Sequence, residues 1–426
     1  MAKIAVVGAG YVGLTTSACL SYLGHQVVCA DIDVDRVISL NKGRIPIVEE
    51  GLDDLVKTGL KSRLLQFVVG AVKAVYDAEF VFMCLPTPQG EDGSADLSYI
   101  TSAAGDIASL LQPGAVVINK STVPVGSAKL VKSIINRDDI SVVSNPEFLR
   151  EGSAVNDFLH PDRIVVGSED RAAAEAVAAL YSKIDSNVLI TSAESAEMIK
   201  YCANSFLAMK LSFVNEVAAL CEKLGADIFD VVSGVGFDRR IGKDFMSPGP
   251  GWGGSCFPKD TQALLKISSD VGHEFTLLAA AVDANTEQLE RVFNKIKSAA
   301  GGSLSDKTIA VWGLTFKAGT DDLRDSPSIA IVSRLISAGA HVQAYDPTVR
   351  SSKFGLPAEV KITSDAYSAA KGADVLAVLT EWSDFSWTDP YLVAEEMRDR
   401  EVVDARNVLH GARWMHAGFS YQGIGR

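Results

Sequence analysis

The sequence predicts an α/β fold in which two doubly wound domains are joined by a helical central region with a long helix. Three observations carry this expectation. Short β-branched runs alternate with helical patterns over residues 1–193, a proline-free apolar periodicity runs from Glu194 to Leu224, and a second alternation of strands and helices fills residues 300–426. The expected domains are therefore 1–193, 194–299 and 300–426.

In the first domain Lys3 to Val7, Gln26 to Ala30, Glu79 to Cys84, Ala115 to Asn119, Ser141 to Ser144 and Arg163 to Val166 read as strands. The stretches between them are long enough for crossover helices, which makes the sheet parallel. The periodic stretch after Ala193 reads as one long helix, with shorter helices over Gly225 to Val235 and again from Pro258 to Ala299. A glycine turn at Ala299 to Ser303 opens the last domain, whose strands are Thr308 to Trp312, His341 to Tyr345, Asp374 to Leu379 and Glu401 to Val403. No internal repeat or low-complexity tract stands out.

With 426 residues the chain exceeds one ordinary core, and its 47% hydrophobic and 22% charged content is globular. No apolar run approaches the roughly 18 residues of a membrane span. MAKIAVVGAG runs straight into a strand without the pattern of a signal peptide, so a cytoplasmic location is expected. Cys19, Cys29, Cys84, Cys202, Cys221 and Cys256 stand singly, without C-x-x-C pairs or histidines at ligand spacing. That argues against a disulfide framework and against a metal site. A net charge of −13 disfavours nucleic acid as a partner. An anionic small ligand would have to be held by local Lys and Arg.

KIAVVGAGYVG places Gly8, Gly10 and Gly13 directly after a strand and at the opening of a helix. Glycines there permit a tight turn, close approach to a pyrophosphate and close helix packing, which is the Rossmann-like arrangement. VVCADID adds Asp31 at the end of the second strand, where a carboxylate accepts ribose hydroxyls and repels a 2′-phosphate. NAD is therefore expected rather than NADP. CLPTP, Cys84 to Pro88, follows another apolar strand and makes a rigid edge at the carboxyl end of the sheet; a plain loop is the alternative.

GWGGSCFPKD raises a chemical question. Pro258 suits the first turn of a helix, which puts Cys256 just before it, where the dipole and unbonded amides favour a thiolate. The glycines leave room for a ligand, and Asp260 falls on the same first turn. An inert cysteine in a glycine turn is the plain alternative. Beside an NAD site, however, a thiolate can trap an aldehyde as a thiohemiacetal, and a second hydride loss gives a thioester that water cleaves to an acid. Lys200 and Asn204, four apart on the long helix, share a face and could hold an oxyanion, or could be an ordinary solvated face.

Taken together, GAGYVG, STVPVG, NPEFLREG, the K-x-x-x-N of the long helix, GGSCFPKD and GLTFKAGTDDLRDSP resemble the UDP-glucose/GDP-mannose dehydrogenase family over nearly the whole chain, and most closely its UDP-glucose branch. The resemblance implies an NAD-dependent four-electron oxidation of UDP-glucose at C6 to UDP-glucuronate, feeding polysaccharide synthesis. It implies that Cys256 is the nucleophile, that Lys200 and Asn204 stabilise oxyanions, that Asp260 helps activate water, and that Thr122 and Glu147 belong to the catalytic polar network, Glu147 as general base. NAD would be held by Gly8, Gly10, Tyr11, Val12, Gly13, Asp31, Arg36, Pro86, Thr87, Thr122, Glu151 and Arg324. The sugar nucleotide would meet Glu147, Phe148, Leu149, Arg150, Glu151, Lys200, Asn204, Phe245, Gly253, Phe316, Lys317 and Arg406. Arg240 would reach into the neighbouring subunit's site, which implies a homodimer or a higher oligomer.

Ser247, Trp252 and Val48 depart from residues common in relatives, which bears on the exact sugar nucleotide and not on the reaction type. GDP-mannose or a UDP-N-acetylhexosamine is the competing substrate. A two-electron hydroxyacid dehydrogenase would have no use for Cys256 and Asp260. An inactive NAD and nucleotide-sugar binding protein would be expected to have lost a catalytic side chain, and none is lost.

Overall fold

The computed structural model describes residues 1–351 and 355–426, and the chain divides into two compact units. The first comprises 1–203 with 262–271, and the second 204–261 with 272–426. Two helices, Ala193–Leu224 and Phe257–Asp270, each begin in one unit and end in the other.

The first unit is built on eight strands: β1 (Lys3–Val7), β2 (Gln26–Asp31), β3 (Leu65–Val69), β4 (Phe80–Met83), β5 (Val116–Asn119), β6 (Ser141–Ser144), β7 (Arg163–Gly167) and β8 (Asn187–Thr191). Their order in the sheet is β3-β2-β1-β4-β5-β6-β7-β8. All neighbours are parallel except β6 and β7, which meet antiparallel at Ser144 and Gly167. In β1 successive side chains point to opposite faces, so Ile4 and Val6 join one core cluster and Ala5 and Val7 the other. Burial on both faces explains why these strands are nearly continuous apolar runs.

The second unit carries β9 (Thr308–Trp312), β10 (His341–Tyr345), β11 (Lys361–Ile362), β12 (Val375–Val378), β13 (Glu401–Asp404) and β14 (Ser420–Gln422). The order β11-β10-β9-β12-β13-β14 repeats that of the first six strands of the first sheet, and all five pairs are parallel. Ile309 and Val311 face one core, Ala310 and Trp312 the other. The chain thus contains two sheets of one topology without a legible sequence repeat.

Four of the ten expected strands match at both ends, and the other six differ by one residue at one end or both. β3, β8, β11 and β14 were not expected from the pattern. The helical stretch after Pro258 is broken at Gly272, whose φ of +73° ends the helix Phe257–Asp270 before the helix Thr276–Ala299 begins. Among the described residues no helix is long and apolar enough to cross a membrane.

Candidate active site

Ligands in open α/β sheets sit where the strand order reverses, at the carboxyl ends of the strands. In the first unit that point lies between β1 and β4. Gly8 follows β1 with φ +100°, and a Cβ there would lie 2.4 Å from the Cys84 carbonyl oxygen, while one on Gly13 would lie 1.8 Å from that of Gly8. A Cβ on Gly10 would meet nothing within 4 Å. Two of the glycines are therefore forced by packing, and the third leaves an open side with room for a ligand. Tyr11 and Val12 begin the helix Tyr11–Tyr22, whose amides point to the same place.

Asp31 ends β2. Its Oδ2 accepts the Ala9 N–H at 2.9 Å and faces Arg36 Nη1 at 3.2 Å, and its Oδ1 accepts the Asp33 N–H at 2.9 Å. The carboxylate is thus fixed against the glycine turn, as a ribose acceptor needs. Tyr11 donates to Glu49, and the Gly152 N–H donates to Tyr11 Oη at 2.9 Å and to Glu49 Oε2 at 2.7 Å. These bonds tie GAGYVG to the loop carrying Glu151. In CLPTP, Pro86 is exposed, and Thr87 is buried and donates to the Thr122 carbonyl at 2.9 Å.

Glu147 and Lys200 form a buried ion pair, Nζ to Oε1 2.9 Å, with side chains only 6% and 4% exposed. Oε2 of Glu147 also accepts the Leu149 N–H at 2.6 Å. Burial pushes the Glu147 carboxyl up, but the Lys200 ammonium, the Leu149 N–H and the charge of Lys120 outweigh it and hold the group below the usual carboxylate range. Phe148 lies against the cations, its ring centre 3.8 Å from the Arg163 guanidinium and 5.3 Å from Lys200 Nζ. Arg150 pairs with Asp157 at 2.6 Å. Thr122, Asn119, Glu197 and Lys200 line one small space. Glu197 sits one turn before Lys200 and accepts the N–H groups of Gly126 and Ala128 and the Ser144 hydroxyl, so it fastens the end of STVPVG to the long helix.

The second unit holds the cysteine loop. The Cys256 carbonyl accepts the Asp260 N–H at 3.0 Å, so Cys256 caps the helix Phe257–Asp270, as the sequence predicts, and it is partly exposed. Ser255 Oγ lies 3.6 Å from its Sγ. Asp260 is almost wholly buried, with Asn204 Nδ2 on Oδ2 at 2.5 Å and Lys259 Nζ on Oδ1 at 2.6 Å. The loop is anchored by buried polar side chains: Asn215 accepts from Gly249 N, Gln288 donates to the Gly249 carbonyl, Asn285 exchanges two bonds with the Trp252 backbone, and Ser212 accepts from Trp252 Nε1. Trp252 is a buried part of that framework.

The same loop packs on the segment after β9. A Cβ on Gly253 would lie 1.9 Å from the Asp325 carbonyl oxygen, and one on Gly254, at φ +82°, would lie 2.7 Å from the Phe316 ring. Arg406 donates to the carbonyls of Leu379 and Phe316 at 3.0 Å each and pairs with Glu381 at 3.1 Å. Lys317 Nζ stands 5.8 Å from the Phe316 ring centre. The second unit therefore brings Cys256, Gly253, Phe316, Lys317 and Arg406 onto connected segments. Phe245 has φ +58°, rare for an aromatic residue, and its ring meets Phe257 edge-on at 6.2 Å. Arg324 pairs with Asp322, and Arg240, 88% exposed, with Asp238, each at 2.6 Å.

Lys120, Asn145, Tyr181, Glu197 and Glu49 were not singled out by sequence. A lysine directly after the buried run AVVIN and a glutamate three residues before Lys200 were the available signals.

Models of the UDP-glucose/GDP-mannose dehydrogenase family match three segments: the NAD binding domain over residues 2–185, the central domain over 194–287 and the UDP binding domain over 310–411. A UDP-glucose 6-dehydrogenase of Rhizobium meliloti is 44% identical over 434 residues, covering 100% of this chain and 99% of that protein. One of Pseudomonas aeruginosa is 42% identical over 441 residues, covering 100% and 97%. The structure of a UDP-glucose dehydrogenase from Pyrobaculum islandicum superposes with a TM-score of 0.92 at 35% identity, covering 100% of this chain and 98% of that one.

Proposed function

The chain belongs to the UDP-glucose/GDP-mannose dehydrogenase family, an NAD-dependent oxidoreductase family, and from that premise we propose that it oxidises UDP-glucose at C6 to UDP-glucuronate in two steps on Cys256. The observation that carries this reading is the cysteine loop: a partly exposed thiol capping a helix, with a buried carboxylate one turn on, in a framework of glycines and buried amides.

NAD, when bound at the glycine turn and Asp31, supplies the hydride acceptor for each oxidation. Glu147, held ionised by Lys200, takes the proton of the C6 hydroxyl as the C6–H bond breaks. Cys256 then adds to the aldehyde carbon, forming a C–S bond and a thiohemiacetal whose oxygen is steadied by Lys200 and Asn204. Loss of the second hydride gives the thioester. Asp260 and Thr122 orient water onto its carbonyl carbon, and Asp260 takes the water's proton as the C–O bond forms; the C–S bond breaks, the acid leaves and the thiolate is restored. Gly253, Phe316, Lys317 and Arg406 hold the sugar nucleotide, with Phe148, Leu149, Arg150, Glu151 and Phe245 around it. Arg324 and Glu151 approach the cofactor. In this reading residues 1–193, 194–299 and 300–426 serve NAD, catalysis with dimerisation, and UDP.

The proposal includes a cytoplasmic homodimer supplying uronic acid for polysaccharide, with Arg240 serving the partner's site. Phe206, Phe213 and Leu220 support the dimer: they repeat every seven residues along the long helix and are each more than half exposed.

Incubation with limiting UDP-glucose and excess NAD tests the chemistry. Two NADH per sugar and an acid product are expected, and Cys256→Ser should bind NAD yet form no acid. One NADH per sugar, or wild-type turnover by that variant, would sink the covalent route. Turnover only with GDP-mannose or a UDP-N-acetylhexosamine would replace the substrate.

A further inference from the structure

Lys120 follows β5 and is 5% exposed. Its ammonium donates to Asn145 Oδ1 at 3.0 Å, lies 3.5 Å from Tyr181 Oη, and stands 5.9 and 5.6 Å from the ring centres of Phe158 and Tyr181. The amide and phenol it meets are neutral, an unusual surrounding for a buried charge. Two features suggest what it does there. Asn145 lies two residues before Glu147, and it is held at three points: its N–H donates to the Asn119 carbonyl, its amide donates to the Val165 carbonyl at 2.8 Å, and its Oδ1 takes both Lys120 and the Tyr181 hydroxyl. The charge of Lys120 also reaches the Glu147 carboxylate.

We propose that Lys120 is a positioning residue for Glu147, pinning the start of NPEF through Asn145 and adding a second positive charge to the surroundings of the carboxylate that Lys200 pairs. Pairing by Lys200 alone would weaken whenever the Lys200 ammonium turns to a developing oxyanion. Lys120, bound to amide and phenol, is not drawn into the reaction, so Glu147 keeps one cation throughout. The charged and titratable groups around Glu147 are Lys200 from the long helix, Lys120 after β5 and Cys84 after β4; Tyr181, after the helix Arg171–Ala179, faces Lys120. Burial pushes the Lys120 ammonium down to about 8, against the pull of the Glu147 carboxylate, so the cation is present at neutral pH.

This inference rests on the reading of Glu147 as the base, and the experiment separates the two. The pH dependence of kcat/KM is measured for the wild type, E147Q, K120R, K120M and K120Q, with thermal melts to confirm folding. E147Q should lose the acid limb. K120M and K120Q should move that limb to higher pH by about one unit and lower the plateau, while K120R leaves the limb in place. A lower plateau in both neutral variants with an unmoved limb would make Lys120 merely structural and overturn the proposal. Failure of both to fold while K120R folds would overturn it too. An acid limb that survives in E147Q would overturn the assignment of Glu147 and this inference with it.

Discussion

The Asn204 amide donates to the Asp260 carboxylate at 2.5 Å, fastening the long helix to the first turn of the helix that Cys256 caps. Both side chains are buried, and the other carboxylate oxygen is taken by Lys259 at 2.6 Å. A water approaching Asp260 therefore meets a carboxylate whose orientation is already set.

Replacing Asp260 by Asn should leave the first oxidation in place and slow thioester hydrolysis by about 10²–10⁴-fold. Intact-mass measurement after mixing with substrate and NAD should show an acyl adduct on the protein. Asn204→Ala removes one of two partners of a buried charge and should cost about 1–3 kcal/mol of stability in denaturant unfolding. An unmodified mass with D260N, together with wild-type stability of N204A, would contradict this account.

Lys120 links stability to alkaline pH. Its folded value of about 8 lies below its ordinary value of 10.5, so burying the cation costs about 3 kcal/mol at neutral pH, and this fades as pH rises from 8 to 10.5. Stability carried by this group therefore rises across that window. Lys120→Met should flatten the rise in Tm measured between those limits; an unchanged slope would show that the ammonium is well solvated.

Glycine at 254 is required twice, by φ +82° and by the Phe316 ring 2.7 Å from any Cβ. Gly254→Ala should destabilise the second unit by about 1 kcal/mol or more and raise KM for the sugar nucleotide while NAD binding is kept. Adding Phe316→Leu should recover part of the stability. Additive losses in the double variant would show that the two residues do not press on each other.

At Asp31, substitution by Asn keeps acceptors for the Ala9 N–H but removes the charge that Arg36 faces. Arg36 is then available to a 2′-phosphate, and the preference for NAD over NADP should fall by about tenfold or more. Fluorescence titration with NADH and NADPH reads this directly. Retained discrimination would place selectivity elsewhere.

How much of this was legible in the sequence depended on burial. Central strands such as KIAVV and TIAVW are buried on both faces and announce themselves as apolar runs. The four strands that were not foreseen, β3, β8, β11 and β14, are the four outer edges of the two sheets. β8 is exposed or half-exposed throughout, and β11 is two residues long, so neither carries the apolar signal that pattern reading needs. The cysteine loop was readable because glycine, proline and aspartate each do a local task at fixed spacing. Lys120 and Glu197 were not, since their partners Asn145 and Ser144 lie more than 20 residues away and meet them only through sheet order.

The repeated strand order gives the two sheets equivalent corners. Gly8 follows β1 and Gly313 follows β9, each at positive φ; Ala9 N–H donates to Asp31 as Leu314 N–H donates to Asp346. The aspartates then part company. Asp346 also takes the Thr315 N–H and hydroxyl, the Trp382 indole N–H, and the N–H and hydroxyl of Thr348, and none of it is exposed. The corner that we propose reads a ribose in one half is a keystone in the other, mortared in on every side. Two lobes of one blueprint need not compete for the same molecule, because the second corner's carboxylate is already spent on holding its own loop together.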